Sequence, residues 1–279
     1  MNFATTAALG AIAGLTILLG LPIARWGRPG PRLMSFLTAG AVGVLLFIFY
    51  DVIRNASETV EEKLSVSAAA GAGFGLLLAA GIAVGMFSLI FFERVSRRRP
   101  LPAGPGAMAA MSNRPVRAPL AGPMRTALLI ATGIGLHNFS EGLAIGQSAA
   151  AGAYRFFLVL VIGFGLHNIT EGFGVSGPMI GQRPSWRFLA LLGLAGGGPT
   201  FAGTLVGYGV TQIGGATSDM TKAVSVLFLA LAAGAIIYVI GELQHVSRKL
   251  GSHQMGMLGL LCGFLAGYGT DLLIKSVGG

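Results

Sequence analysis

Two stretches of this sequence decide how the chain folds. Residues 126–148 read TALLIATGIGLHNFSEGLAIGQS, and residues 156–180 read FFLVLVIGFGLHNITEGFGVSGPMI. Each stretch is long and apolar enough to cross about 30 Å of hydrocarbon as an α-helix, yet each contains the cassette His-Asn-x-x-Glu-Gly. The histidine and glutamate of a cassette are four residues apart and therefore lie on one face of a helix. Ionisable groups at this depth are costly unless they pair, contact water or bind a cation, so the cassettes predict a functional site within a membrane.

The composition of the whole chain indicates a membrane protein. Hydrophobic residues make up 53% of the 279 residues and charged residues only 10%, against roughly a quarter charged in soluble domains. The net charge of +9 does not indicate nucleic-acid binding, because the basic residues fall in short connections between apolar segments. The single cysteine, Cys262, excludes a disulfide framework and a cysteine-rich zinc site.

Eight apolar segments predict a single all-α transmembrane domain over residues 1–279. The strict alternation of an outer-membrane strand is missing, so each segment is predicted to be a helix in one bundle. The longest connection, residues 93–125, is rich in Pro, Gly, Ala and Arg and predicts a flexible cytoplasmic loop. The predicted spans lie near residues 4–24, 33–53, 68–92, 126–148, 156–180, 188–213, 223–246 and 252–275.

The basic residues predict the orientation of this bundle. Fourteen of the 19 Lys and Arg residues lie in the connections that follow the first, third, fifth and seventh spans. Under the positive-inside rule these connections are cytoplasmic, and both termini are expected outside. A plasma membrane, such as the inner membrane of a bacterium, is the location that this organisation favours.

The spacing of the cassettes predicts a site for a divalent transition metal. A short connection makes the two helices antiparallel neighbours, so the cassettes are expected to face each other near the middle of the membrane. Imidazole and carboxylate ligands together suit Zn²⁺, Fe²⁺, Co²⁺, Ni²⁺ or Mn²⁺ better than Ca²⁺ or Mg²⁺. A purely structural role is less consistent, because neither span contains a Lys or Arg to neutralise the carboxylates.

Several other polar residues have open roles at this point. Asn138 and Asn168 could offer amide oxygens to a second, weaker cation position or form hydrogen bonds between helices. Glu242 and His245 end the seventh span at its inner face and could form a release site, although many helices end in such residues without binding anything. Asp271, in the last span, is not explained.

The cassettes on consecutive helices resemble the fourth and fifth spans of the ZIP (Zrt-, Irt-like protein) family of divalent metal transporters. The eight spans, the outside termini and the long loop after the third span are similar as well, so the resemblance covers essentially the whole chain. It implies a ZIP-like fold and a central metal site. The residues that it implies as lining this site are His137, Asn138, Glu141, His167, Asn168 and Glu171.

The sequence departs from the family pattern at three places. Ser140 and Thr170 stand where the family usually has a proline, and their hydroxyls are expected to bond back to the helix and bend it mildly. Gly198 stands where many relatives carry a carboxylate that completes a second metal position, so one metal ion per chain is expected. The family often has a His-Glu pair near the inner end of the seventh span, of which this chain keeps Glu242.

These observations predict a transporter and not an enzyme. Zn²⁺ is the first choice of transported ion, with Fe²⁺, Mn²⁺, Cd²⁺ and Co²⁺ as further candidates, and the metal is a substrate and not a cofactor. The resemblance implies transport into the cytoplasm. The expected partners are the metal ion and the lipid bilayer, and a homodimer is a possible assembly.

The alternative is a membrane metalloenzyme, such as an intramembrane protease or a di-iron oxidase. The protease motif His-Glu-x-x-His is absent from the sequence. A di-iron bundle needs two further carboxylates at the same depth, and the remaining spans do not supply them there. The sequence therefore favours the transporter.

Overall fold

The computed structural model describes residues 2–26, 30–97 and 122–278, which are helical throughout apart from short connections. The first membrane segment consists of two short helices and a 3-10 turn, and the segments after it are long helices. The elements are α1 (Phe3–Leu15), α2 (Ile17–Gly20), a 3-10 turn (Leu21–Arg25), α3 (Pro31–Val66), α4 (Ala68–Arg97), α5 (Gly122–Ala150), α6 (Tyr154–Ser176), a 3-10 turn (Gly177–Met179), α7 (Trp186–Gly214), α8 (Asp219–Lys249) and α9 (His253–Gly278).

Eight helical segments within the described ranges are long and apolar enough to cross a membrane. This confirms the predicted all-α membrane architecture. α3 has 36 residues and is therefore about 54 Å long, so its last turns extend beyond the hydrocarbon layer. Most of the predicted loop 93–125 lies outside the described residues, whereas residues 93–97 continue α4 and residues 122–125 begin α5. Residues 93–97 and 122–125 are helical because continuing the helix keeps their backbone hydrogen bonds satisfied where the chain passes out of the hydrocarbon layer.

The helices form two groups, each held together by glycines. We call α1, α2, α5, α6 and α7 the site group, because α5 and α6 carry the two cassettes. In this group a Cβ atom added at Gly203 of α7 would overlap the carbonyl oxygen of Phe139 in α5, and Gly14 and Gly197 would overlap each other's carbonyl oxygens in the same way. The backbones therefore touch, as is typical of helix packing in membranes.

The remaining helices, α3, α4, α8 and α9, form the frame group and pack by the same device. A Cβ atom added at Gly263 of α9 would overlap the carbonyl oxygen of Gly40 in α3, and one at Gly234 of α8 would overlap that of Ile82 in α4. These contacts leave no room to rotate or slide one helix past its neighbour within a group. Each group is therefore expected to behave as one rigid unit.

The boundary between the two groups is made of side chains. A Cβ atom added at Gly133 of α5 would lie 2.5 Å from Cγ2 of Val239 in α8, and one at Gly174 of α6 would lie 3.2 Å from Cβ of Ala41 in α3. The rings of Phe139 and Phe228 have centroids 4.2 Å apart across the same boundary. Because α5 and α6 face this boundary, the cassettes lie where the two groups meet.

Candidate metal centre

The structure brings His137, His167 and Glu171 together between α5 and α6. One ligand atom of each residue lies within 4.8 Å of the other two. The Nε2 atoms of His137 and His167 lie 3.9 Å and 3.7 Å from Oε1 of Glu171. All three side chains are buried, and Oε1 of Glu171 has no hydrogen-bond partner. Two imidazoles thus converge on one unshared carboxylate oxygen.

Glu141 lies beside this cluster and contacts it through His137. Its Oε1 atom is 3.2 Å from Nε2 of His137, and its Oε2 atom is buried without a hydrogen-bond partner. It is not among the three residues whose ligand atoms all lie within 4.8 Å of one another. Glu141 therefore lies at the edge of the cluster, next to His137 and outside the group of three.

The two asparagines of the cassettes form hydrogen bonds between helices. Nδ2 of Asn138 donates to Oε2 of Glu171 at 2.9 Å and to the carbonyl oxygen of Gly196 in α7 at 3.0 Å. Nδ2 of Asn168 donates to the carbonyl oxygen of Ala13 in α1 at 2.9 Å. The Oδ1 atoms of both residues are buried without hydrogen-bond partners. Asn138 thus orients Glu171, whereas Asn168 connects α6 to α1.

Ser140 and Thr170 form the hydrogen bonds that the sequence predicts for them. Each hydroxyl donates at 2.6 Å to the carbonyl oxygen of the histidine three residues earlier, Ser140 to His137 and Thr170 to His167. In a helix this carbonyl also accepts the N–H group of the glutamate that follows. In each cassette, the carbonyl oxygen of the histidine therefore accepts both the Ser or Thr hydroxyl and the N–H group of the glutamate. Both helices remain continuous.

A cavity of about 320 Å³ connects the cluster to one end of the bundle. His137, Glu141 and His167 contribute to its wall. Ser140 also lines it, beside the site. The remaining polar lining residues lie in the second half of α3, toward the ends of α5 and α9 and near the start of α8, all on the side that the sequence predicts to be outside. They are Asp51, Arg54, Asn55, Gln147, Ser225, Thr270 and Asp271.

The opposite side of the cluster is closed by apolar side chains. Next to Glu171 lies a void of about 10 Å³, which has room for at most about one water molecule. A hydrated ion does not fit there. The other residues that line this void are Ala41, Val44, Leu45, Ile130, Ile134, Thr170, Gly174 and Leu243.

The structure also locates polar residues whose roles were open or unrecognised. Glu242 is half-buried and His245 is exposed in the last turns of α8, and neither lines the cavity or the void. Asp51 and Asp271 both line the cavity of about 320 Å³. A carboxylate within the last span is the sequence signal for Asp271, whereas its place in the same cavity as Asp51 depends on the packing of α9 against α3.

Comparison with known proteins agrees with this geometry. No curated protein matches the chain. The family described as ZIP zinc transporter matches residues 108–269, a range that includes both cassettes and more than half of the 279 residues. With eight helices in its described residues able to cross a membrane and a buried group of two histidines and a glutamate among them, the chain belongs to the ZIP zinc transporter family and is a transporter of divalent metal ions.

Proposed function

We propose that the chain carries a divalent transition metal, with Zn²⁺ as the preferred ion, through a site built on His137, His167 and Glu171. The observation that carries this proposal is the convergence of the two Nε2 atoms on Oε1 of Glu171, at 3.9 Å and 3.7 Å. Zn²⁺ binds imidazole nitrogen and carboxylate oxygen in compact sites of about four ligands. Glu141, 3.2 Å from His137, is the fourth ligand in this proposal.

The burial of these groups supports a cation at this position. Both ring nitrogens of His137, Oε2 of Glu141 and Oε1 of Glu171 are buried without hydrogen-bond partners. Unsatisfied polar atoms in a low-dielectric interior are costly, and buried charges persist when they are paired or coordinate a metal. A divalent ion would satisfy these atoms at once. The free Oδ1 atoms of Asn138 and Asn168 complete the proposed set of six site residues.

We propose one metal position per chain. Within the described residues, one group of His, Cys, Asp and Glu side chains lies close enough together to share an ion, and it consists of His137, His167 and Glu171. A Cβ atom added at Gly198 would meet nothing within 4 Å, whereas one at Gly196 or Gly197 would contact Ile17 or overlap Gly14. A side chain at position 198 therefore points away from the packed interior. The expectation of a single metal rests on the cluster itself and not on the missing carboxylate.

The direction of transport that we propose is inward. The cavity opens at the end where the cavity wall carries Asp51 and Asp271, and the opposite end holds most of the Lys and Arg residues that the structure describes. In a plasma membrane with both termini outside, this form takes up the ion from the outside while the void beside Glu171 keeps the inner side closed. Release needs a second form, in which the site group has moved against the frame group. The side-chain boundary between the groups allows such a motion.

Metal flux into sealed proteoliposomes tests this proposal. We expect uptake of Zn²⁺ into liposomes that contain the purified chain, with Fe²⁺, Mn²⁺, Cd²⁺ and Co²⁺ as competitors. Glu171→Ala and His167→Ala should each lower the flux about 100-fold, because losing one ligand leaves the others unpaired in a low dielectric. Metal titration of the native chain should give one tight site.

The matched control is Glu61→Gln, an exposed carboxylate on the outer turns of α3, which should transport like the native chain. All variants should elute from size exclusion as folded protein. Normal flux in both ligand variants would contradict the proposed site. Turnover of a peptide or lipid substrate without any metal flux would favour the metalloenzyme alternative.

A further inference from the structure

Glu93, Arg125 and Tyr238 form a polar cluster at the inner end of the bundle, away from the metal site. Oε1 of Glu93 lies 3.8 Å from Nη2 of Arg125, and the hydroxyl of Tyr238 donates to Oε2 of Glu93 at 2.6 Å. The side chains of Arg125 and Glu93 are 28% and 14% exposed. Ion pairs this sheltered are screened less by salt and water than pairs on an open surface.

This cluster crosses the boundary between the two groups. Glu93 lies on α4 and Tyr238 on α8, both in the frame group, whereas Arg125 lies in the first turn of α5 in the site group. α5 also carries His137 and Glu141. Two other ion pairs between helices do not cross the boundary. Lys63 with Asp219 and Lys222 with Glu62 both connect α3 to α8 within the frame group.

The cluster lies on the closed side of the site. Ile130 and Ile134, which follow Arg125 on α5, line the small void next to Glu171, and so does Leu243 of α8. A Cβ atom added at Gly133 would lie 2.5 Å from Val239 of α8 and 3.4 Å from Leu89 of α4. α4, α5 and α8 therefore contact one another in two ways, through apolar side chains near the site and through the polar cluster.

We propose that Glu93, Arg125 and Tyr238 are positioning residues that act as an inner latch and hold the site group against the frame group while the outer cavity is open. The inner side can open only when the start of α5 separates from α4 and α8, which breaks the contact between Arg125 and Glu93. The latch therefore sets the balance between the outward-open and inward-open forms. This inference rests on the proposed transport function, since it assumes that an inward-open form exists.

Thiol accessibility measures this balance without any metal. In a Cys262→Ser background, Ala41→Cys reports on the inner void and Ala144→Cys on the outer cavity. Glu93→Gln or Arg125→Gln should speed the labelling of the Ala41→Cys reporter by an impermeant reagent on the inner side about threefold or more. The same variants should slow the labelling of the Ala144→Cys reporter from outside. Tyr238→Phe should act in the same direction with a smaller effect.

Charge reversal and matched controls keep the test specific. The double variant Glu93→Arg with Arg125→Glu should return both labelling rates toward the native values. Arg94→Gln, an exposed neighbour on α4, and Glu61→Gln should leave them unchanged. Unchanged labelling in folded Glu93→Gln and Arg125→Gln, faster labelling of both reporters together, or failure of the reversal would each overturn the latch. Because labelling needs no transport, a chain without metal flux would refute the proposed function and still report on the latch.

Discussion

The two long sides of α5 are packed in different ways. Toward α7, glycines let backbone atoms touch, as at Gly203 against the carbonyl group of Phe139. Toward α8, the contacts are between side chains, such as Phe139 with Phe228 and Gln147 with Ser225. A backbone contact has one geometry, whereas side chains can change rotamer and partner. We therefore expect α5 to move together with α7 and to be able to move past α8.

Glycine substitutions on the two sides of α5 test the difference between backbone contacts and side-chain contacts most directly. Gly203→Ala should destabilise the protein by about 3 kcal/mol or more, because its Cβ atom would overlap backbone that cannot yield. Gly133→Ala, which meets the side chains of Val239 and Leu89, should cost about 1 kcal/mol. Gly198→Ala on α7 meets nothing within 4 Å and serves as the control, with a change of at most about 1 kcal/mol in either direction. Thermal unfolding in detergent measures the series, and equal losses at positions 203 and 133 would contradict the two-group description.

Cross-linking tests whether α5 moves relative to α8 during transport. Nε2 of Gln147 donates to Oγ of Ser225 at 2.8 Å across the boundary, near the end of α5 and the start of α8. In a Cys262→Ser background, Gln147→Cys with Ser225→Cys should lose about tenfold or more of its metal uptake when a short bifunctional thiol reagent joins the two positions. The physical reason is that the end of α5 and the start of α8 can then no longer move apart or slide.

The control pair for cross-linking lies within the frame group. Lys63 and Asp219 contact each other between α3 and α8 at the same end of the bundle, and Lys63→Cys with Asp219→Cys should keep its uptake after cross-linking. A monofunctional reagent on the Gln147 and Ser225 positions separates blockage of the cavity from restraint of the helices. If cross-linking inhibits both pairs alike, the two groups do not move as units.

The smallest expected effect concerns geometry inside the site group. Ser140→Ala removes the hydroxyl that donates to the carbonyl oxygen of His137 at 2.6 Å, so the histidine should be held less firmly. We expect the metal concentration for half-maximal uptake to rise about two- to fivefold. Ser148→Ala is the matched control, because Ser148 forms the same kind of bond to Ile145 in the same helix, at 2.9 Å. An equal change in both variants would show that the Ser140 bond has no special role in positioning.

Much of the fold follows from local features of the sequence. Runs of apolar residues predict the eight spans because a helix in lipid must satisfy its own backbone, and eight such helices are present in the described residues. The four-residue spacing within each cassette predicts that His137 and Glu141 share a face, and their side chains lie 3.2 Å apart. The hydrogen bonds of Ser140 and Thr170 are equally local and were predictable for the same reason.

Other features depend on contacts between helices that are far apart in the sequence. The spacing of the cassettes treats Glu141 and Glu171 alike, yet the group whose ligand atoms all lie within 4.8 Å of one another contains Glu171 and both histidines. Asn138 on the neighbouring helix donates to the other oxygen of Glu171. The sequence left open whether the asparagines bind a cation or join helices, since both uses need the same residue at the same position.

Periodicity, apolar length and charge are properties of each segment alone, so the eight helices, their orientation signal and the residue types of the metal site were predictable from the sequence. The tertiary structure shows which helices pack backbone to backbone and are therefore expected to move together, since that depends on which glycine meets which backbone. It also decided that the cavity opens on the side of Asp51 and Asp271, and that Glu93 and Arg125, at the ends of a predicted loop, meet across the group boundary. Contacts of this kind arise from packing among distant segments, which no local pattern encodes.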